Sequence, residues 1–366
     1  MNRLRWGGAL AAAIAGMLTM APWHAQAAAP LQPGCQIQTG HSQIKRVLHL
    51  TFDNVHLRRD NPNVPSDLEQ MPNLLNFLLQ NGVVSGNHHT PLISHTAHDI
   101  TTALTGVYGS RSGIPVANAY GYFKPDGKVG FSTSFLYWTA QSADGKPQFI
   151  NELGKIAPAP WVPYTTSGCD FGAFSTANVE FESIPQDVDT VFGLGSPESK
   201  EAHNNPTLAA ADFLGIAIHC ARNSVLCNNK LAKPDLLPDE PGGYTGFNAL
   251  YGNQKVQPVI SPGGPVLDLD GTPITDGHGN NGFPGFSPTA TQSLGYVATM
   301  LEAGVPIVYF YMADVHDSAT GSGAFGPGEA GYVAQLKAYD KAWGQFFARL
   351  KADGITADNT LFVITA

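Results

Sequence analysis

The sequence predicts an α/β protein built on a mostly parallel sheet. Two observations carry that expectation. Three runs, 44–52 (IKRVLHLTF), 305–312 (VPIVYFYM) and 360–366 (TLFVITA), hold near-continuous apolar stretches, as strands buried on both faces do. Three segments beside them, 72–80, 290–303 and 331–351, repeat apolar residues at three- and four-residue steps, as helices with one face on a core do.

Taken in order, the chain begins with a secretory signal. Arg3 and Arg5 form a basic start, 6–20 is apolar and rich in Ala and Gly, and Ala25-Gln26-Ala27 is a small-residue cleavage site. The protein is therefore expected outside the cytoplasm, secreted or periplasmic, with domain 28–366 following signal 1–27. The apolar run is too short for a confident span, so no stable membrane insertion is expected. Residues 1–27 carry two cations and no acid, so their removal takes the formal charge from −9 to −11. That opposes binding to a nucleic-acid scaffold or an anionic membrane. It leaves a small phosphate ester open as substrate, because bound metal can invert the local potential. Four cysteines remain, Cys35, Cys169, Cys220 and Cys227. An even count in an exported chain points to disulfides. Cys220 and Cys227 can close a small loop, which would leave Cys35 with Cys169, although spacing alone does not fix connectivity.

The strand at 44–52 ends in Asp53-Asn54. A carboxylate at the carboxyl end of a parallel strand stands where open α/β sheets bind ligands. A turn or helix cap is the plainer role for such an acid. The loop 56–69, with Arg58 and Arg59, reads as solvated. The helix at 72–80 opens on Pro72 and stops at Asn81-Gly82. Val83-Val84 reads as a short strand, and His88-His89 as a surface loop.

The stretch 91–118, PLISHTAHDITTALTGVYGSRSGIPVAN, has hydroxyls before a helix-like run, then Thr105-Gly106 and a tight turn. A helix start offers unpaired N–H groups and a positive dipole end, which suit a phosphate. Ser94 or Thr96 there could equally be a simple cap.

This order resembles the alkaline phosphatase superfamily: strand and Asp53, then Met71-Pro72-Asn73-Leu74 opening a helix, then 91–106 and Gly113-Ile114. It is most similar to the type I phosphodiesterase/nucleotide pyrophosphatase branch. The resemblance implies a mostly parallel sheet with helices on both faces. It puts the nucleophile on Thr96, with Ser94 as a possible misregistration, and a phosphoryl-holding amide on Asn118.

Between them, 121–285 alternates aromatics with Gly, Pro and polar loops. It reads as a large loop-rich insertion, a cap facing the substrate, with one helix at 206–221 capped by Asn205. Asp268-Leu269-Asp270-Gly271 reads as a strand end entering a turn, and its spacing fits no EF-hand. Cys169-Asp170, Glu180, His203 and His219 read as structural.

Order returns with a helix begun at Ser287-Pro288. The strand at 305–312 then runs into Ala313-Asp314-Val315-His316-Asp317. Carboxylate and imidazole are donors that zinc accepts. The resemblance implies a second metal site here, held by Asp314 and His316 with Asp317 as a substitute. The branch usually spaces that pair by four residues, and here only Asp314-x-His316 is present. One cation would sit on Asp53 and Thr96, a second on Asp314 and His316. Zinc is expected first, with manganese next.

In the superfamily the last of these strands is followed by an Asp and an Asp-His. The sequence ends at Ala366. The expectation is a domain incomplete at its C-terminus, inactive in this form. The reading that results is an exported, metal-dependent phosphoesterase working through a phospho-Thr intermediate. Its alternatives are a non-catalytic exported binding protein on the same scaffold, or a phosphonate or sulfate-ester hydrolase. Sulfatases need a C/S-x-P-x-R setting, and none lies near Thr96. The residues leave the oligomeric state open.

Overall fold

The computed structural model describes residues 37, 43–89, 99, 102, 108, 119–133, 168–175, 185–213, 215–235, 247–285, 287–313, 315–316 and 326–366. The signal at 1–27 and Cys35 lie outside them. In chain order the strands are β1 (Arg46–Phe52), β2 (Ala119–Phe123), β3 (Val129–Thr133), β4 (Phe171–Phe174), β5 (Ile216–His219), β6 (Lys233–Pro234), β7 (Asn248–Tyr251), β8 (Ile307–Met312) and β9 (Thr360–Thr365). The helices are α1 (Pro72–Asn81), α2 (Gln186–Phe192), α3 (Pro197–Asn204), α4 (Pro206–Phe213), α5 (Asn253–Ile260), α6 (Ala290–Glu302) and α7 (Ala330–Ala352).

Seven strands form one mixed sheet in the order β6-β7-β5-β4-β8-β1-β9. Its centre is parallel: β4 pairs β8, β8 pairs β1, and β1 pairs β9. Strands β5, β7 and β6 extend it antiparallel beyond β4. Strands β2 and β3 form a separate hairpin.

Period-two alternation gives the sheet two buried faces. Leu48, Leu50 and Phe52 of β1 join Val308, Phe310 and Met312 of β8 in a core closed by α6 and α7. Phe52 packs its ring against Tyr339 and Trp343 of α7. On the opposite face, Ala173, Ala217, Ala249 and Tyr251 pack with Val188, Val191, Phe192, Ala202, Ala209 and Phe213 of α2 to α4. That same face carries a run of rings across five strands: His49, Tyr309, Phe171, His219 and Tyr251, with successive centroids 5.9, 5.9, 4.6 and 5.6 Å apart. Burial pushes His49 down to about 4, so it sits in this run as a neutral ring. His219 Nδ1 and Asp235 Oδ2 lie 2.8 Å apart, both buried.

Helix α1 has no cap of its own, since Met71 offers no side-chain acceptor. Asp340 of α7 supplies one from across the core. Its carboxylate accepts from Asn73 N–H at 2.7 Å, from Asn73 Nδ2 at 2.8 Å and from Leu74 N–H at 3.4 Å. The approach is close: a Cβ on Gly344, one turn further along α7, would stand 3.2 Å from the Asn73 amide.

Several expectations need correction. The helix expected over 206–221 stops at Phe213, and Ile216–His219 is a strand. Gly215 forces the break. Its φ is +71°, and the Phe283 ring fills the space where a Cβ would be. Asn205 does cap α4, its Oδ1 accepting from Leu208 N–H at 3.2 Å. Val83-Val84 forms no strand; Val83 is 96% exposed. Helix α6 begins at Ala290 under a Thr289–Gln292 capping box, later than Ser287-Pro288. The stretch 121–285 is built into the sheet, supplying β4, β5, β6 and β7. Cys220 and Cys227 form a disulfide. Cys169 is also disulfide-bonded, and its partner lies outside the described residues.

Candidate functional site

The carboxyl ends of β1 and β8 finish side by side. Phe52 is in register with Met312, and Asp53 N–H extends the ladder by donating to the Met312 carbonyl at 3.1 Å. Asn54 then takes φ +56°, which turns the chain out of the sheet. Asp53 is 8% exposed. Tyr311 lies opposite Thr51 in the register, so its side chain shares a face with Thr51 and Asp53. Its hydroxyl donates to Asp53 Oδ2 at 2.5 Å.

The segment leaving β1 folds back over the same edge. His56 N–H donates to Asp67 Oδ2 at 2.7 Å, and the Tyr332 hydroxyl of α7 donates to the same oxygen. His56 Nδ1 pairs with Asp60. On the β8 side, Tyr339 of α7 holds the outgoing chain through the Ala313 carbonyl at 2.6 Å. The His316 ring then packs 5.1 Å from Tyr332 and 5.8 Å from His56. Burial raises the Asp67 carboxyl above its ordinary value, against the pull of the Tyr332 hydroxyl, the His56 amide and the two imidazoles. Two aspartates, each receiving a tyrosine hydroxyl, and two adjacent imidazoles thus occupy one end of the parallel sheet.

Of the residues expected to do chemistry, Asp53 and His316 are brought to this one edge from distant parts of the chain. Thr96, Ser94, Asn118, Asp314 and Asp317 lie outside the described residues. Among the described residues, no group of three or more His, Cys, Asp or Glu side chains is placed to hold a metal ion. The donors that are described suit a divalent cation in kind: a buried carboxylate at a strand end, and an imidazole leaving the neighbouring strand. None of the described helices is long and apolar enough to cross a membrane.

Tyr311, Asp67, His56 and Tyr332 escaped the sequence reading. The loop 56–69 is solvated only in part. Arg59 and Glu69 form an exposed two-point ion pair, with Nη2–Oε1 at 2.6 Å and Nε–Oε2 at 2.8 Å. Asp67 in the same loop is 1% exposed. The one local signal was Ser66-x-x-Glu69, a reciprocal cap around the buried turn 66–68. Asp170, His203 and His219 each have a structural partner: Asp170 accepts from Ala221 N–H and Ser224 Oγ, His203 faces Asp189, and His219 faces Asp235. Glu180 lies outside the described residues. No protein-family model, no curated protein and no solved structure matches the chain.

Proposed function

We propose that this chain is an exported, metal-dependent phosphoric-ester hydrolase of the alkaline phosphatase superfamily, similar to its type I phosphodiesterase/nucleotide pyrophosphatase branch. One observation supports the reading most. The β1–β8 register aligns the strand end bearing Asp53 with the strand end that leads to Asp314 and His316. An open parallel sheet takes its ligands at such carboxyl ends.

In this reading Asp53 and Thr96 would hold one divalent cation, and Asp314 and His316 a second. Zinc fits the carboxylate–imidazole mixture first and manganese next. When bound, the cations would lower the pKa of the Thr96 hydroxyl and neutralise phosphoryl charge. Thr96 Oγ would attack phosphorus. The P–O bond to the alcohol breaks, the alcohol leaves with a proton, and a phospho-threonine remains. Water would then break the Thr–O–P bond, releasing phosphate or a phosphomonoester and restoring the hydroxyl. Asn118 would donate to a non-bridging oxygen as charge builds there.

The test uses the protein as the cell makes it, with chromogenic phosphomonoester and phosphodiester substrates and bound metal measured in parallel. The expected result is near-stoichiometric zinc and turnover, with Thr96→Ala abolishing turnover while zinc stays bound. Full activity in Thr96→Ala would remove Thr96 from the mechanism. Stoichiometric zinc with no turnover of either ester would favour a binding protein on the same scaffold.

A further inference from the structure

We propose that Tyr311 is a positioning residue for Asp53, fixing the rotation of its carboxylate so that it meets a divalent cation in one orientation. The inference rests on the reading of Asp53 as a metal ligand. Its geometry is independent of that reading. An aspartate at a strand end has two side-chain torsions, and the ladder holds its backbone without fixing them. The Tyr311 hydroxyl closes on Oδ2 at 2.5 Å, at the short end for a hydrogen bond to a charged oxygen. The donor comes from the neighbouring strand, and the β1–β8 register fixes it relative to the Asp53 backbone. The brace therefore stands on a strand paired inside the sheet and not on a loop.

The sign of the effect follows from the chemistry. A proton donor on a carboxylate oxygen withdraws electron density, so it cannot strengthen ligation by adding charge. Any gain has to come from orientation, with Oδ2 committed to the tyrosine. Groups that orient a ligand in this way typically change metal affinity by about 10- to 100-fold when removed. A hydroxyl that served only to satisfy a buried acid would act on folding stability and leave affinity alone.

The experiment is Tyr311→Phe, which deletes one oxygen and keeps the ring. Zinc affinity is measured by competition with a chromogenic chelator. The visible absorption of the cobalt-loaded protein reports ligand geometry, and thermal melts are run without metal. Expected are a zinc Kd weakened about 10- to 100-fold, an altered cobalt spectrum and a metal-free melt lowered only by the loss of one hydrogen bond to a buried carboxylate. The same substitution in an Asp53→Asn background should have little further effect on Kd. Unchanged Kd and spectrum in Tyr311→Phe, with the parent binding zinc, would overturn the role of Tyr311 alone. So would an undiminished effect in the Asp53→Asn background. A parent protein that binds neither zinc nor cobalt would overturn the metal-site reading itself.

Discussion

The Asp340 cap on α1 offers a direct measure of what holds the two central helices in place. In Asp340→Ala the first turn of α1 loses its acceptor for Asn73 N–H, Asn73 Nδ2 and Leu74 N–H. Loss of a cap costs about 1 kcal/mol, within a range of roughly 0.5–2. Loss of a partly buried anion at the positive end of the helix dipole adds about 0.3–1 kcal/mol, and up to about 2 in favourable geometry. Asn73 is exposed, so water can take over its side-chain amide; Leu74 is buried, and its N–H is the harder group to rescue. These contributions overlap, and together they predict a loss of about 1–2 kcal/mol. With a urea slope of about 3 kcal/mol/M, the unfolding midpoint falls by somewhat under about 1 M. Equilibrium unfolding followed by tryptophan fluorescence reads this directly. Asp340→Asn, which keeps an acceptor but no charge, should lose less. A double-mutant cycle with Asn73→Ala should return a coupling of about 1 kcal/mol. A loss below about 0.5 kcal/mol in Asp340→Ala, or a coupling near zero, would show that α1 is held by its apolar stripe alone.

Two further outcomes follow from buried polar side chains. Asp235→Ala removes the carboxylate 2.8 Å from the buried His219 Nδ1 and should cost about 1–3 kcal/mol in unfolding free energy, while the paired change His219→Phe with Asp235→Leu should recover most of that. If the single and double variants melt together, the pair has no energetic coupling. Asp212 is pushed up to about 7, first by burial and then by the Glu201 carboxyl, from an ordinary value of 3.8. Folding thus retains a proton that the unfolded chain gives up. The penalty from this group grows as pH rises from about 4 to about 7 and holds its full size above that. Asp212→Asn should therefore melt above the parent at pH 8, with the gap closing toward pH 4. A gap that opens in acid instead would contradict the assignment.

The long strands and the long helices were legible because each carries its own pattern. Strands β1, β8 and β9 and helices α6 and α7 present many apolar residues at one period, and no neighbour is needed to read them. The four-residue strands were not legible. FGAF, IAIH and NALY are too short to show a period, and IAIH follows an alanine-rich helix in which the same residues fit a helical stripe. Only Gly215, with its positive φ under the Phe283 ring, separates the two. At the candidate site, Asp53 could be picked out from the strand before it. Its tie to Tyr311 could not, because it exists only through the β1–β8 register, across more than 250 residues. The Tyr332–Asp67 pair and the Asp340 cap share that origin: both need α7 already packed against the segment that follows β1.

The position of β1 has a consequence for how the chain reaches this state. Its sheet neighbours are β8 and β9, strands that begin at Ile307 and Thr360. At about 5–20 residues per second, a ribosome needs on the order of tens of seconds after finishing β1 before its first partner exists. Throughout that interval a buried-type apolar segment has nowhere native to go. The sheet cannot close around β1 until β8 has been made. Such wide sequence separations make for slow folding and prolonged exposure to aggregation, so a dependence on chaperones during synthesis is expected from the topology alone.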